Sequence, residues 1–214
     1  MKLNERLKRL FVLFGLHRSG SSATAGVIHL LGADMGQNEG LFENLDFVLI
    51  NDEILWSNGG SWDNSPSNGK ISTTPYLNTR MERFLSMYQK PVWGLKDPRL
   101  LLTFEVWEPF LEVRQDITYV FIHRPFMSSV KSLSFRDHFS LVQSAEILGP
   151  YLDNFYCFRY RFEGNEADII DVHYHQLVHD PKSFVEEVNR RLGAPLEQNL
   201  DRVRAWVDAG YKRF

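Results

Sequence analysis

Residues 10–36, LFVLFGLHRSGSSATAGVIHLLGADMG, carry the reading from which the fold follows. The run Leu10 to Leu16 is apolar, short and β-prone, the pattern of a buried strand. A polar turn comes next, Gly15-Leu16-His17-Arg18-Ser19-Gly20-Ser21-Ser22. Beyond it Ala23, Val27, Ile28, Leu30 and Leu31 recur at helical spacing until Gly32 and Gly36 end the pattern. A strand, a tight polar turn and a helix aim backbone N–H groups and a helix N-terminus at one point, and that point attracts an anion.

The turn departs from a P-loop in one respect that matters chemically. Gly15 and Gly20 keep the glycine spacing of a Walker A loop, and Ser22 stands at its Ser/Thr position. The lysine of that motif is replaced by Ser21, and the positive charge moves inside the loop to Arg18. A guanidinium can fork onto two phosphate oxygens, whereas the Walker lysine acts as a point charge. The turn therefore suits a phosphate group but not ordinary Mg-nucleoside-triphosphate hydrolysis. The competing reading is a strand-to-helix turn with no ligand.

Length and composition bound the rest. A chain of 214 residues fits one domain, 1–214, with a sizeable core. With 14% aromatic residues it is not a disordered chain, and a net charge of -3 supplies no basic field for nucleic acid. The single cysteine, Cys157, excludes an internal disulfide framework and points to a reducing, cytoplasmic compartment. Lys2, Arg6, Lys8 and Arg9 resemble the start of a signal peptide, but the apolar run after them stops at His17-Arg18 with no cleavage site. No run is long enough for a transmembrane segment.

Downstream, Asn44 is a candidate cap for a helix over 46–56, and helices are expected over 78–89 and 103–113. Residues 57–76, SNGGSWDNSPSNGKISTTPY, form a long loop with the composition of a flexible acceptor-side lid. Short strands are expected at 91–95, 117–122 and 167–174. The first ends at Lys96-Asp97-Pro98-Arg99, which reads equally as a ligand edge or as a turn held by an Asp–Arg pair. The second ends at His123-Arg124-Pro125 and leads into a helix holding Ser128, Ser129, Ser132 and Leu133. A long helix over 140–162 is expected to break near Gly149-Pro150. Helices over 181–192, closed by Gly193, and 196–210 complete the chain. Strands alternating with helices give an α/β fold, a central parallel sheet wrapped on both faces. Two cationic strand ends in one such sheet suggest two separated anionic groups on a single ligand.

Three ordered segments resemble the sulfotransferases that use 3′-phosphoadenosine 5′-phosphosulfate (PAPS), in particular the compact bacterial ones. His17-Arg18-Ser19-Gly20-Ser21-Ser22 is similar to their 5′-phosphosulfate loop, with Arg18 where the family usually has lysine. Arg124 and Ser132 resemble the Arg and Ser that hold the 3′-phosphate, with Pro125 following the arginine directly. Val172-His173-Tyr174, then Gln176-Leu177 and Asp180-Pro181, resembles the strand-loop whose tyrosine lies near the adenine, and Lys96-Asp97-Pro98-Arg99 also recurs in bacterial members. The likeness spans about 11–193. It lacks the C-terminal Arg-Lys-Gly loop of many cytosolic members, which leaves Lys212 and Arg213 as loose candidates.

The resemblance implies the P-loop-like sulfotransferase fold, PAPS as co-substrate, no metal, and a carbohydrate or small-molecule hydroxyl as acceptor. It places His17, Arg18, Ser19, Gly20, Ser21, Ser22, Arg124, Ser132 and Tyr174 on the donor. Arg18 and Lys96 are the candidates for stabilising the transferred and leaving groups. The first candidate base is Glu43, with His123, His17 and Asp97 behind it. A helix-start carboxylate explains Glu43 equally. The triplet His173, His175, His179, with Asp171 and Asp180, is a minor zinc candidate, and His29 reads as a satisfied core histidine. His138 fits either a cleft wall or a solvated helix end. Two other functions stay open: a P-loop nucleotide or metabolite kinase, and a catalytically degenerate nucleotide-binding domain. Neither acceptor identity nor oligomeric state is written in the composition.

Overall fold

The computed structural model describes residues 8–36, 40–66, 71–87, 90–111 and 115–210. Among these, four strands form one parallel sheet: β1 (Lys8–Phe14), β2 (Val92–Lys96), β3 (Gln115–His123) and β4 (Asp168–His173), in the order β2-β1-β3-β4. β1 lies between β2 and β3, pairing Val12 with Leu95 on one side and with Tyr119 on the other. Its apolar run is continuous because both faces are covered. Leu10, Val12 and Phe14 point into one core with Trp93, Leu95, Tyr119 and Phe121; Phe11 and Leu13 point into the other with Val120, Ile122, Ile170 and Val172.

The first core is closed by α2 (Leu45–Ser57), α3 (Pro75–Met87), α4 (Leu100–Leu111), α5 (Phe126–Asp137) and α6 (Leu141–Gly164). Its centre is aromatic: Phe14 stacks on Phe121 at 5.1 Å and Tyr119 on Phe162 at 4.0 Å. The second core is closed by α1 (Ser21–Leu30), α7 (Tyr174–His179), α8 (Lys182–Leu192) and α9 (Leu200–Gly210). Asn44 caps α2 as its position predicts, its side chain accepting from the N–H groups of Asp46 and Phe47, and Gly193 closes α8 at φ +67°.

Several boundaries differ from the sequence pattern for physical reasons. β1 ends at Phe14, so Gly15 and Leu16 belong to the turn. α3 and α4 each start three residues earlier than their periodicity suggests, at Pro75 and Leu100, and the last helix starts later, at Leu200. The far ends of the first two predictions lie outside the described residues. The loop after α2 is correspondingly shorter, and of it 67–70 are also outside. α6 does not break at Pro150 but runs through it, because Leu148, Tyr151, Phe155, Phe158 and Phe162 all bury on one side and outweigh one lost backbone bond. α7 has no counterpart in the sequence reading. It begins directly after β4, so His173 and His175 do not share a strand face, and the close ring pair is His175–His179 at 4.3 Å. Among the described residues no group of three His, Cys, Asp or Glu side chains is placed to hold a metal.

Because all pairings are parallel, the C-terminal ends of the four strands arrive at one edge. The Gly15–Gly20 turn, Lys96, Arg124 and Tyr174 are delivered there by the fold itself. No helix among the described residues is long and apolar enough to cross a membrane.

Candidate functional site

That edge holds a cavity of about 750 Å³, walled by the turn after β1, the ends of β2 and β3, α5, and the start of α7. His17, Arg18, Gly20, Ser21, Ser22, Glu43, Lys96, Arg124, Ser132 and Tyr174 all line it. Ten of the residues singled out from sequence therefore converge, although they come from five separate stretches of chain.

The turn is shaped by backbone geometry. Ser19 N–H donates to Leu16 O at 3.0 Å, and Arg18 and Gly20 adopt φ +66° and +95°. A non-glycine residue such as Arg18 enters the left-handed region only where surroundings hold it there. Here the hold is explicit: Arg124 Nη1 donates to Arg18 O at 2.6 Å, and Ser129 Oγ reaches the same carbonyl at 3.4 Å. α1 starts without a side-chain cap, which leaves its first-turn N–H groups to a ligand. Of the turn residues 17–22 expected to meet the donor, Ser19 alone is absent from the wall. Its side chain is buried beside Gly15, away from the cavity.

Gly20 must be glycine on two counts. Its φ is left-handed, and a methyl group there would run into the Tyr174 ring. Gly59 has a left-handed φ of +75° but open space around it. Gly20→Ala is expected to lower Tm by about 2–8 °C, from ~1–2 kcal/mol of backbone strain and the displaced ring. Gly59→Ala should cost less. Thermal unfolding of the two variants checks this; equal losses would mean the Tyr174 contact is unimportant.

The cations sort into two groups. In one, Arg18 Nε donates to Ser132 Oγ at 3.0 Å, and the Arg124 guanidinium lies 4.8 Å over the Tyr174 ring. Burial first, then the neighbouring Arg136 and Arg124 guanidiniums, hold Arg18 below the ordinary arginine range. In the other, Lys96 Nζ donates to Ser22 Oγ at 3.1 Å, Leu41 O at 3.2 Å and Glu43 Oε1 at 2.5 Å. Lys96 is 4% exposed, so its three ammonium protons are fully used inside the site. The lysine missing from the turn is thus supplied beside Ser22 by the adjacent strand. No local motif announces this; the register of β1 with β2, which pairs Leu13 with Lys96, brings it about.

Asp97 and Arg99 make the turn that the sequence allowed, while Lys96 lines the cavity. Buried Asp97 accepts from Asn51 Nδ2 at 2.9 Å, Arg99 N at 3.0 Å and Arg99 Nη1 at 3.0 Å. Arg99 pairs with Asp52 at 2.7 Å as well. His123 lies outside the cavity, its Nε2 against Asp171 at 2.7 Å. His138 is the exposed C-cap of α5, and His29 is only partly buried, with Nδ1 unpartnered. Lys212 and Arg213 lie outside the described residues.

An aromatic wall completes the cavity on the side of the 58–74 loop. Trp62 is held there by Tyr151, whose hydroxyl donates to Trp62 O at 2.6 Å, and Arg136 sits 5.9 Å over its indole. Phe135, 86% exposed, stands at the mouth. His17 is buried between Trp62 and Tyr151. Searches against protein-family models and against curated proteins find no match to this chain.

Proposed function

We propose that this chain moves the sulfuryl group of PAPS onto a hydroxyl of a carbohydrate or small metabolite, on the P-loop-like fold of the sulfotransferases its motifs resemble. The reading rests chiefly on one observation: two cationic strand ends, Lys96 of β2 and Arg124 directly after β3, wall a single cavity that also holds an uncapped helix N-terminus. A ligand with two separated anionic groups satisfies both. The volume suits a nucleotide and a small acceptor together.

Arg124 and Ser132 would take the 3′-phosphate. Arg18, through its bond to Ser132, belongs to that end rather than to the 5′ end that the resemblance implies. The 5′-phosphosulfate would then lie on the N–H groups at the start of α1, with Ser22 and Lys96 beside the bridging oxygen. Tyr174, packed between Gly20 and Arg124, sets the arginine as much as it could meet the adenine. The acceptor would enter along Trp62, Phe135 and Arg136.

Transfer follows the logic of phosphoryl transfer. The acceptor oxygen attacks sulfur as the S–O bond to the nucleotide breaks, and the electron pair of that bond stays on the 5′-phosphate. The site's task is to align the partners and neutralise charge on the departing oxygen. Lys96 is positioned for the second task once it exchanges one of its present partners for the donor.

Thermal shift tests the reading. 3′-Phosphoadenosine 5′-phosphate should raise Tm without Mg²⁺, and Mg-ATP should not. Arg124→Ala should weaken that ligand by ~10- to 100-fold, the worth of a charge-assisted hydrogen bond. Stabilisation by Mg-ATP alone would favour a kinase, and an undiminished shift in Arg124→Ala would remove the 3′-phosphate assignment. Labelled sulfate moving to an acceptor distinguishes a transferase from a domain that only binds nucleotide.

A further inference from the structure

We infer that His17, within the phosphate-binding turn itself, takes the proton from the acceptor hydroxyl, and that the donor's negative charge is what allows it to do so. The inference rests on the sulfuryl-transfer reading above. His17 lines the cavity, is 7% exposed, and carries a buried Nε2 with no hydrogen-bond partner. Buried polar atoms are nearly always paired, so a lone one in a cavity wall marks a place where a ligand atom belongs. The ring is fixed on both sides, 5.0 Å from Trp62 and edge-on to Tyr151 at 5.1 Å, at the border between the anion-binding turn and the aromatic wall. An acceptor lying on Trp62 would lie beside this ring.

Glu43, the first choice from sequence, is less suited. Its carboxylate is held by Lys96 at 2.5 Å in a nearly closed position, and protonating it would strip a buried ammonium of its counter-charge. His17 has no such partner to abandon. The groups that face it are cationic: Arg18 in its own turn, Lys96 at the end of β2, Arg99 just before α4, and Arg136 on α5. Tyr151 on α6 stays neutral, since burial pushes its phenol well up. Asp97 and Asp52 are both occupied by Arg99. Burial and these four cations hold His17 in the neutral form, below the ordinary imidazole range.

Neutrality makes the ring a ready proton acceptor, but an imidazolium among four cations is unfavourable in the free protein. A bound PAPS adds several negative charges against the same cations and removes that objection. In the step, the acceptor O–H bond breaks as the new O–S bond forms. The proton goes to Nε2, and the electron pair of the old S–O bond leaves on the 5′-phosphate. Proton acceptance is thereby tied to the presence of donor, which protects the site from idle protonation.

The imidazole signals of the intact protein, followed by NMR against pH, provide the test. The His17 resonance is identified by its NOEs to Trp62 and Tyr151. In the free protein it should remain neutral down through pH 6.5, and 3′-phosphoadenosine 5′-phosphate should move its midpoint upward by about one unit or more. A midpoint that the nucleotide leaves unchanged overturns the inference. At saturating labelled PAPS, with water as acceptor, His17→Gln should hydrolyse it ~100-fold more slowly than the parent. Hydrolysis equal to the parent's would also overturn it, leaving the transferase reading intact. Failure of the nucleotide to bind at all would instead strike that reading, and the inference with it.

Discussion

Lys96→Met is expected to slow sulfuryl transfer by ~100- to 1000-fold, about 2.7–4 kcal/mol of transition-state stabilisation, while nucleotide binding changes far less. The buried ammonium donates to Ser22, Leu41 and Glu43, and the proposed transfer would set it beside the bridging oxygen. Arginine should not rescue it, because a planar fork cannot reproduce three convergent donations in a closed space. Removing Lys96 also strands Glu43, so part of the loss could come from folding. The double variant Lys96→Met/Glu43→Gln separates the two effects: it should regain stability, read by thermal unfolding, without regaining transfer. Recovery of transfer in the double variant would show that Lys96 serves only to neutralise Glu43.

The second large effect concerns stability rather than chemistry. Asp97→Ala is expected to destabilise the fold by about 3–5 kcal/mol, the usual result of breaking a buried charge pair from one side, and so to lower Tm by roughly 6–20 °C. The carboxylate binds Arg99 twice and Asn51 once. Asn51 is tied in turn to Thr103 Oγ1 at 2.8 Å and Trp107 Nε1 at 2.8 Å. One substitution therefore unpairs Asn51 on α2 and Arg99 in the turn that presents Lys96, and loosens the Asn51 side chain that holds α4. Asp97→Asn keeps the shape and the Asn51 contact and should cost less. Denaturant or thermal unfolding measures both, and a loss below ~1 kcal/mol for Asp97→Ala would mean that Asp52 alone suffices for Arg99.

Features set by a few neighbouring residues are the ones legible in the sequence. The run into Gly15 had to be a buried strand, and Gly20 before a helical pattern had to be a turn, since each follows from periodicity and backbone freedom within a few residues. Arg124 and Ser132 were legible for the same reason, as a strand end and a helix face eight positions apart. Other features were not. α7 was hidden because its six residues contain no cap signal, and Pro150 suggested a break that five buried side chains prevent. Lys96 was recognisable as a cation at a strand end, but its seat beside Ser22 depends on a partner strand more than 70 residues away.

The amino-acid order alone settled the class of fold and the presence of cationic strand tips, because hydrophobic period, glycine conformation and charge are properties of short segments. Tertiary packing decided the rest: that Arg18 turns toward Ser132, that Glu43 is held by Lys96, and that His17 is buried, neutral and unpartnered in the wall of the cavity. Those outcomes depend on which distant groups share one small volume. Burial and charge proximity are properties of that volume, and no stretch of chain contains them.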